Sequence, residues 1–432
     1  MIDHCIVLNG SQEAALKPLC GISVLERLLR TLQRLGIDNA AVLSDSPEPV
    51  NKELAKGSWA RPQLKIQVCS HPMGTATVEE ILTAWPESVA FLIVVRGDFV
   101  LDARLLRLLM NQNTTAGLVD SAIPANIKPL VASAPDAGAG KFCGAAVIER
   151  DWLISQTGEF EKTLVNGLEG GRVKRIDVTE EPLYSFALRR KVRPFWFPAP
   201  SPGQEKAAEA ALLDATQKGT LDIPAMIHAP IERFLISYLC RTPITPNQLT
   251  FFCNIAAWIT TALFATGHLT PGIVLALIVG VLDGLDGKQA RIKVETTKSG
   301  KLEHWFDAFF EWSWWIALAC YFQFSGQLPT ALIYFALLIV GEGLDGIAKA
   351  VVYFTTGKTI DELGVFERFV RLIGGRRNVY VWTLAIGLLL GAPAKGFRAI
   401  AWLAIATALV HLPRAAWIFY QSRHKGAAAP LA

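Results

Sequence analysis

The stretch VLDGLDGKQAR, residues 281–291, ends a long apolar segment and places two carboxylates within it. Asp283 and Asp286 are three residues apart, so on a helix they share one face. Gly284 and Gly287 carry no side chain, which lets a ligand or another helix come close beside the aspartates. Because unpaired carboxylates at membrane depth are costly, this face must meet a cavity, a partner or a metal ion.

A second acidic pair follows in the next apolar segment, where Asp307 and Glu311 are four residues apart and again share a helix face. Four carboxylates that converge from two helices would repel one another without a cation. Oxygen ligands of this kind favour Mg²⁺ or Mn²⁺, and a metal pair held in this way would clamp a diphosphate and stabilise a leaving phosphate. The alternative for the first pair is a structural ion pair with Lys288 or Arg291.

Long apolar segments on both sides of the motif predict a bundle of six membrane-spanning helices. No lysine, arginine, aspartate or glutamate occurs between Arg241 and Asp283, or between Glu311 and Glu342. The first of these runs is long enough for two crossings, with a break at residues 270–272. The predicted spans are 246–267, 271–292, 302–323, 329–353, 377–392 and 397–420.

The placement of lysine and arginine predicts the orientation of these helices. Basic clusters lie at 288–301, at 355–377 and in the tail after 422, and with six crossings all three fall on the side of the amino-terminal domain. Lys395 and Arg398 are the exception, in the last outer loop. We therefore expect a multi-pass protein of the cell (inner) membrane with both termini and the active site cytoplasmic.

The composition agrees with a membrane domain joined to a soluble one. Of the 432 residues, 51% are hydrophobic and 19% are charged, which excludes a disordered or collagen-like chain. A net charge of +4 without a clustered basic face gives no case for nucleic-acid binding. The seven cysteines form no CxxC pair, so no zinc site or redox motif is indicated. The amino terminus lacks the apolar run of a signal peptide.

Residues 1–215 alternate short apolar runs with helical periods, which predicts an α/β, Rossmann-like domain with a parallel sheet covered on both faces. In such sheets ligands bind at the carboxyl ends of the strands. The predicted strands are 5–8, 40–43, 64–68 and 89–95, and the predicted helices are 23–35, 77–85, 103–110 and 207–216.

The chain divides near residue 220. Residues 216–242 form a linker whose proline-punctuated, amphipathic part at 223–239 either lies along a membrane surface or joins the domains as a helix, and the two interpretations are compatible. We expect the membrane domain at 243–422 and a polar tail at 423–432.

The motif resembles the signature of the CDP-alcohol phosphotransferase family. The matching residues are Asp283, Asp286, Gly287, Ala290, Arg291 and, after eight further residues, Gly300. The signature continues with two aspartates, four and eight residues after that glycine, where this chain has His304 and Ala308. Asp307 and Glu311 have the right internal spacing three residues later, with glutamate replacing aspartate at the last position.

This resemblance implies a six-helix membrane fold, commonly homodimeric, and a CMP-releasing reaction. A hydroxyl acceptor, either a lipid or a polyol phosphate, attacks the β-phosphorus of a CDP-alcohol. The resemblance assigns Asp283, Asp286, Asp307 and Glu311 to the metals, and Asp307 and Glu311 to catalysis, with Glu311 in the place of the residue that deprotonates the acceptor. The CDP-binding residues that it implies are Gly284, Gly287, Ala290 and Arg291, together with Asn247 in the Thr245–Thr250 segment.

Further polar residues are candidates for binding the acceptor. They are His304, Glu342, Asp345, Lys349, Arg376 and Arg377. Asp345 and Lys349 are alternatively an i,i+4 ion pair, and His304 a satisfied polar residue at the rim of the site. Arg376 and Arg377 suit phosphate oxygens, or else anchor the helix on the positive side of the membrane.

The first domain resembles the sugar-phosphate nucleotidyltransferases of the MobA-like kind. Residues 6–10, 16–19 and 23–27 resemble the opening of that family, 74–76 its nucleotide-binding turn, and 97–98 its metal aspartate. The nucleotide-binding candidates that follow are Lys17, Gly74, Thr75 and Asp98. The glycine-rich loop with its arginine is replaced at 10–15, however, and the region of a second metal aspartate, 197–201, has no carboxylate.

Three hypotheses of function follow. The first is a membrane phosphotransferase that uses a CDP-alcohol. The second is a bifunctional enzyme that also makes its CDP-alcohol from CTP, as the fused arrangement resembles bifunctional inositol-phosphate cytidylyltransferase/phosphotransferases. The third is an ion transporter with a nucleotide-sensing domain, although an ion path needs neither the glycines beside the aspartates nor the Ala290-Arg291 ending.

Overall fold

The computed structural model describes residues 2–56, 59, 64–70, 75–219, 222–295 and 300–426, without the side chains of 300–308 and 425–426. The chain forms two compact units. The first consists of Met1–Gly219 with the short segments Ser237–Ile244 and Lys288–Thr296, and the second of Thr220–Ile236, Thr245–Gly287 and Thr297–Ala432.

The first unit contains all the strands of the described chain. They are β1 His4–Asn9, β2 Pro18–Leu19, β3 Ile22–Ser23, β4 Asn39–Ser44, β5 Lys65–Ser70, β6 Phe91–Arg96, β7 Phe99–Leu101, β8 Ala116–Asp120, β9 Asp136–Ala137, β10 Gly140–Glu149, β11 Lys174–Asp177, β12 Tyr184–Ser185, β13 Arg190–Lys191 and β14 Trp196–Pro198.

The main sheet has the order β11-β8-β10-β6-β1-β4-β5, with β9 paired to β10. The four predicted strands are confirmed as β1, β4, β5 and β6, which run parallel to one another. The expected parallel sheet holds for these four strands and not for the whole sheet, because β10 runs antiparallel to both β6 and β8. No helix crosses over between β8 and β10 in this fully described stretch, so the chain returns through the β9–β10 hairpin, which reverses its direction.

The described residues up to Gly219 also form eight α-helices. They are α1 Gln12–Leu16, α2 Val24–Arg34, α3 Pro47–Leu54, α4 Val78–Ala84, α5 Ala103–Met110, α6 Arg150–Ile154, α7 Phe160–Glu169 and α8 Glu205–Ala215. The four predicted helices are confirmed as α2, α4, α5 and α8. The hydroxyl of Ser23 accepts a hydrogen bond from the amide of Glu26 and begins α2, and Thr77 and Glu80 form a capping box that begins α4.

The rest of the described chain is helical. The helices are α9 Ile223–Leu239, α10 Pro246–Ala265, α11 Leu269–Ile292, α12 Gly300–Phe324, α13 Ala331–Thr356, α14 Val365–Ile373, α15 Arg377–Leu389 and α16 Pro393–Gly426. Pro271 lies in the first turn of α11, so the break between α10 and α11 falls a few residues before 270, at Gly267, whose φ is +79°.

Four of these helices, α10, α11, α13 and α16, are long and apolar enough to cross a membrane. The predicted α/β domain followed by a membrane-type helical region is thereby confirmed, while the number of six crossings stays a prediction. The helix α15 has 13 residues, which at 1.5 Å per residue is about 20 Å and shorter than the hydrocarbon core of a bilayer. Phe264, Trp314, Phe322 and Tyr380 are fully buried in the apolar core between these helices.

The helix α9 is amphipathic, but it buries polar side chains and exposes large apolar ones. Its buried positions recur every four residues and include the polar side chains of His228 and Glu232. Its large apolar side chains point outward, with Phe234 and Tyr238 each about 60% exposed. A helix that exposes its apolar face and buries polar groups favours the membrane-surface interpretation of this segment.

Candidate active site

The carboxylate of Asp286 is buried and held by the neighbouring helix. The hydroxyl of Thr250 on α10 donates to its Oδ2 at 2.7 Å, and the backbone N–H of Gly287 donates to its Oδ1. Thr250 lies one turn after the start of α10, where Thr245 and Gln248 form a capping box and Pro246 takes the first helical position. The start of α10 therefore fixes the orientation of the second motif aspartate.

The carboxylate of Asp283, one turn earlier on α11, accepts a hydrogen bond from the guanidinium of Arg377. Arg377 begins α15, and it also lies over the ring of Phe310, 5.2 Å from the ring centroid. The structural partner of the first motif aspartate is thus an arginine from a distant helix. The sequence had placed Arg377 either on an acceptor phosphate or at the membrane surface.

The glycines of α11 admit the helix α9. A Cβ atom at Gly284 would lie 2.5 Å from a carboxyl oxygen of Glu232, and one at Gly280 would lie 3.0 Å from the ring of His228. The indole N–H of Trp382 donates to Nε2 of that histidine at 3.2 Å. Of the two occupants that the sequence allowed beside Gly284, a ligand or another helix, the structure has the helix.

Glu311 lies on α12 among charges from three other helices. Trp315 donates a hydrogen bond to it, and Arg377, Glu342 and Asp283 are close enough to act on it electrostatically. The helix α12 also carries Asp307 and His304, whose side chains lie outside the described residues. Glu311, Glu342 and Asp283 therefore act on one another electrostatically, with Arg377 as a neighbouring cation.

Residues 243–412 match the CDP-alcohol phosphatidyltransferase family. This part of the chain is a CDP-alcohol phosphatidyltransferase domain. The match covers the helices that carry the motif and the residues around it, from the start of α10 to α16. It confirms the family that the motif resembles.

Other proteins are similar to this chain over most of its length or over about half of it. A "Bifunctional IPC transferase and DIPP synthase" of Rubrobacter xylanophilus is 26% identical over 92% of this chain and 91% of its own length. Two solved structures are similar with TM-scores of 0.35: an inositol-1-phosphate CTP transferase of T. maritima, at 11% identity over 49% of this chain and 96% of its own, and a Mycobacterium tuberculosis phosphatidylinositol phosphate synthase with CDP-DAG bound, at 19% identity over 48% and 99%.

A second polar cluster in the CDP-alcohol phosphatidyltransferase domain lies on α13. The hydroxyl of Tyr380 donates to the carboxylate of Glu342. Asp345 is buried between Lys349, 2.5 Å away in the predicted i,i+4 ion pair, and the ring of His411, also 2.5 Å away. The sequence predicted the pair but missed His411, which lies near the middle of α16, because a lone histidine in an apolar helix gives no signal of its partner.

Three further candidate residues of this domain are Asn247, Arg291 and Arg376. Asn247 is exposed on the first turn of α10. Arg291, at the end of α11, donates through Nε to the carbonyl of Thr216 at 2.8 Å. The guanidinium of Arg376 is 3.9 Å from the buried carboxylate of Asp222.

At the strand ends of the first unit, Asp98 is bound by an arginine. Arg96 donates to both carboxyl oxygens of Asp98, at 2.9 and 2.8 Å, and to Glu161 at 2.9 Å. Burial alone would lower the pKa of Arg96, but Asp98 and Glu161 together raise it. The carboxylate that resembles a metal ligand is therefore already neutralised within the protein.

Lys17 is engaged as well. Its ammonium group is 2.7 Å from both a carboxyl oxygen of Glu205 and the carbonyl of Pro200. Of the other two nucleotide-binding candidates, Thr75 belongs to the described residues and Gly74 lies outside them. The strand β14, which overlaps the segment 197–201 without a carboxylate, pairs with β7 next to Asp98. Ala199 donates its N–H to the carbonyl of Asp98 at 2.7 Å.

Proposed function

We propose that the domain at 243–412 transfers a phosphoalcohol or phosphatidyl group from a CDP-alcohol to a hydroxyl acceptor and releases CMP. The observation that carries this proposal is the pair of motif aspartates on one face of α11. One of them is oriented by a hydroxyl from α10, and the other is balanced by a guanidinium from α15. Such an arrangement orients these carboxylates inside an apolar bundle, as metal ligands require.

The donor set fits a divalent cation by its chemistry. Asp283, Asp286 and Glu311 offer only oxygen, the ligand that Mg²⁺ and Mn²⁺ prefer. Within the described residues no group of three or more His, Cys, Asp or Glu side chains is arranged as a metal site, and Asp307 lies outside them. We infer that Asp283, Asp286, Asp307 and Glu311 hold Mg²⁺ or Mn²⁺, which, when bound, neutralises the diphosphate and stabilises the leaving phosphate.

The protein's own groups have separate tasks in this proposal. Thr250 keeps one oxygen of Asp286 directed, and Arg377 balances the charge of Asp283 until the donor binds. Glu311 accepts the proton of the acceptor hydroxyl as its oxygen bonds to the β-phosphorus. The bond from that phosphorus to the CMP oxygen breaks, so one P–O bond forms, one breaks, and CMP leaves with the electron pair.

Donor and acceptor have different binding residues in this proposal. Gly287, Ala290, Arg291 and Asn247 contact the CDP group, as the family motif implies. The cluster of Glu342, Asp345 and Lys349 on α13, with Arg376 and His304, contacts the acceptor. Because Lys349 and Arg376 supply cations beside acidic groups, an acceptor with both hydroxyl and phosphate groups fits this side.

We further propose that the domain crosses the inner membrane six times as a homodimer, with both termini and the active site on the cytoplasmic side. Supporting this are the basic clusters on one side of the predicted spans and large apolar side chains on the outside of the helices, such as Phe251, Trp258 and Phe354, which are 51–86% exposed. Labelling of single cysteines from either side of sealed vesicles tests the sidedness.

The decisive experiment is the exchange of labelled CMP. Purified protein in nanodiscs of its host lipids, given labelled CMP and Mg²⁺, is expected to transfer label to a CDP-alcohol. Asp283→Ala is expected to abolish this exchange. Asp361→Ala, which removes a buried carboxylate paired with Arg371 outside the motif, is the matched control and should keep it. If no Asp283-dependent exchange occurs with host lipids and host metabolites present, the proposal is wrong.

The same assay distinguishes the donor class. Label in an organic-soluble product indicates a CDP-lipid, and label only in water-soluble products indicates a polar CDP-alcohol.

A bifunctional enzyme is the second candidate, because the similarity to the Rubrobacter protein of that description extends over 92% of the chain. In this candidate the first domain makes the CDP-alcohol from CTP. The pairing of Asp98 with Arg96 and of Lys17 with Glu205 weighs against it, because both candidate ligands of a Mg-nucleotide are engaged by other side chains. Release of pyrophosphate from CTP distinguishes the two candidates.

A further inference from the structure

The carboxyl end of the motif helix α11 belongs to the first compact unit, which contains Lys288–Thr296. The last backbone carbonyls of the helix accept hydrogen bonds, some of them from the next residues of the chain. The backbone N–H of Lys293 donates to the carbonyl of Gln289 at 3.0 Å. Likewise the N–H of Val294 donates to the carbonyl of Arg291 at 3.3 Å, and that of Glu295 to the carbonyl of Ala290 at 2.8 Å. The last two bonds form the pattern of a Schellman cap, which leaves the carbonyls of residues 292 and 293 to other groups.

The cap has an unusual residue at its left-handed position. Val294 has a φ of +52°, where glycine is the common residue because a Cβ atom is strained there, and a β-branched side chain most of all. A strained conformation of this kind persists only where the surrounding contacts determine it. The end of α11 is therefore held by more than its own hydrogen bonds.

Two buried arginines of α2 supply these contacts. Arg27 donates to the carbonyl of Ile292 and, at 2.7 Å, to that of Leu19. Arg30 donates to the carbonyl of Lys293 at 3.0 Å and has an oxygen of Glu295 at 3.5 Å. The arginines are 4% and 2% exposed, and positive charge at a helix carboxyl end also interacts favourably with the helix dipole.

We propose that Arg27 and Arg30 are positioning residues for the transferase. They cap α11 and fix the conformation of its last turn, and with it the motif residues Ala290 and Arg291. This inference rests on the proposed function, in which those two residues contact the CDP group. The first compact unit thus serves the reaction by holding its own part of the motif helix, whatever the activity of the first domain.

A merely hydrophobic role does not account for these side chains. Burying two guanidinium groups is costly unless they are hydrogen-bonded, and apolar residues would fill the same space on α2. Burial lowers the pKa of Arg27, yet arginine keeps its charge in proteins. Glu26 pairs with Arg30 at 3.0 Å within α2, so the charge that faces α11 is itself held in place.

The test uses the full chain in host-lipid nanodiscs, with CMP as the probe. Arg30→Ala is expected to raise the CMP concentration for half-maximal exchange about ten-fold or more, because a hydrogen bond from a charged donor is lost. Arg30→Lys should restore part of this loss. Arg34→Ala, an exposed arginine one turn further along α2, is the control and should behave as the wild type.

Val294→Gly separates positioning from a general loss of stability. Glycine removes the strain at the left-handed position, so Arg30→Ala with Val294→Gly is expected to recover exchange that Arg30→Ala alone has lost. A defect confined to the folding of the first domain would not respond to a change at the end of α11. An unchanged half-maximal CMP concentration in Arg30→Ala, or no recovery in the double variant, overturns the proposal.

Hydrogen exchange distinguishes failure of this inference from failure of the proposed function. The amides of residues 293–295 are expected to be protected in the wild type and to exchange faster in Arg30→Ala. If the wild type exchanges no CMP while these amides respond, the cap exists and the proposed function is wrong. If the wild type exchanges CMP while Arg30→Ala changes neither measurement, the function stands and the cap is wrong.

Discussion

Arg377 donates a hydrogen bond to the carboxylate of Asp283, which lies 94 positions earlier in the chain. This pairing joins the amino-terminal end of α15 to the motif on α11. It balances one of the negative charges that meet near Glu311 and Glu342. A divalent cation that binds Asp283 therefore competes with a guanidinium for the same carboxylate.

Removal of Arg377 should alter both activity and metal dependence. In Arg377→Ala we expect CMP exchange to fall about ten-fold or more, because the half-buried carboxylate of Asp283 loses a hydrogen bond from a charged donor. The Mg²⁺ concentration at half-maximal activity should fall in the same variant, since the competing cation is gone. Arg414→Ala, which breaks the ion pair with Glu367 on α14, serves as the control. Metal dependence unchanged in Arg377→Ala would contradict the competition.

Thr250 should control metal affinity without touching the substrate. Thr250→Val removes the hydroxyl that donates to Asp286, and loss of such a supporting hydrogen bond weakens metal affinity about 10–100-fold. Titration of exchange activity with Mn²⁺ measures this shift. Thr250→Ser should stay near the wild type. Thr261→Val, a change on the same helix that removes a hydroxyl bonded to Ser313 of α12, should do so as well. Equal Mn²⁺ titrations for Thr250→Val and the wild type would refute the assignment.

The first domain should release no pyrophosphate from CTP when given polyol phosphates of the host, because Arg96 occupies both oxygens of Asp98. Asp98→Ala should instead act on stability, with a loss on the order of 3 kcal/mol for a broken, mostly buried ion pair. Unfolding followed by tryptophan fluorescence measures that loss, and CMP exchange below the unfolding range should be unchanged. CTP-dependent pyrophosphate release that Asp98→Ala abolishes would establish the bifunctional enzyme.

His228 should make the protein less stable at acid pH. Burial lowers the pKa of His228 below its ordinary value of 6.5, which Glu232 and Asp222 oppose and Arg377 assists. The unfolded chain then binds a proton that the folded chain does not, so the free energy of unfolding falls as the pH drops below about 6.5. Above that pH this histidine contributes no pH dependence.

The comparison of His228→Gln with the wild type checks this expectation. The glutamine can still accept the hydrogen bond from Trp382 but does not titrate, so its unfolding temperature should fall less between pH 7 and pH 5. His268→Gln, at an exposed histidine near the start of α11, should follow the wild type. Parallel curves for the wild type and His228→Gln would show that His228 does not titrate in this range.

Much of the fold follows from local pattern. Apolar periods predicted four strands of the sheet and four helices of the first unit, and Thr77 and Ser23 marked two helix starts. The strand β10 was not among the predicted strands. Its antiparallel direction was missed as well, because apolar residues in a strand indicate burial but not the direction of the neighbouring strand. The helix α9 was recognised from its amphipathic pattern, while the burial of His228 and Glu232 against the glycines of α11 was not.

The sequence by itself determined the family of the membrane domain, the positions of its long helices and the spacing of Asp283 and Asp286, because these depend on residues close together in the chain. Only the tertiary structure decided which groups meet those residues. Arg377 and Asp283 are 94 positions apart, and Thr250 and Asp286 are 36 apart. A helical period gives the face on which a side chain lies, but its partner depends on how the helices pack.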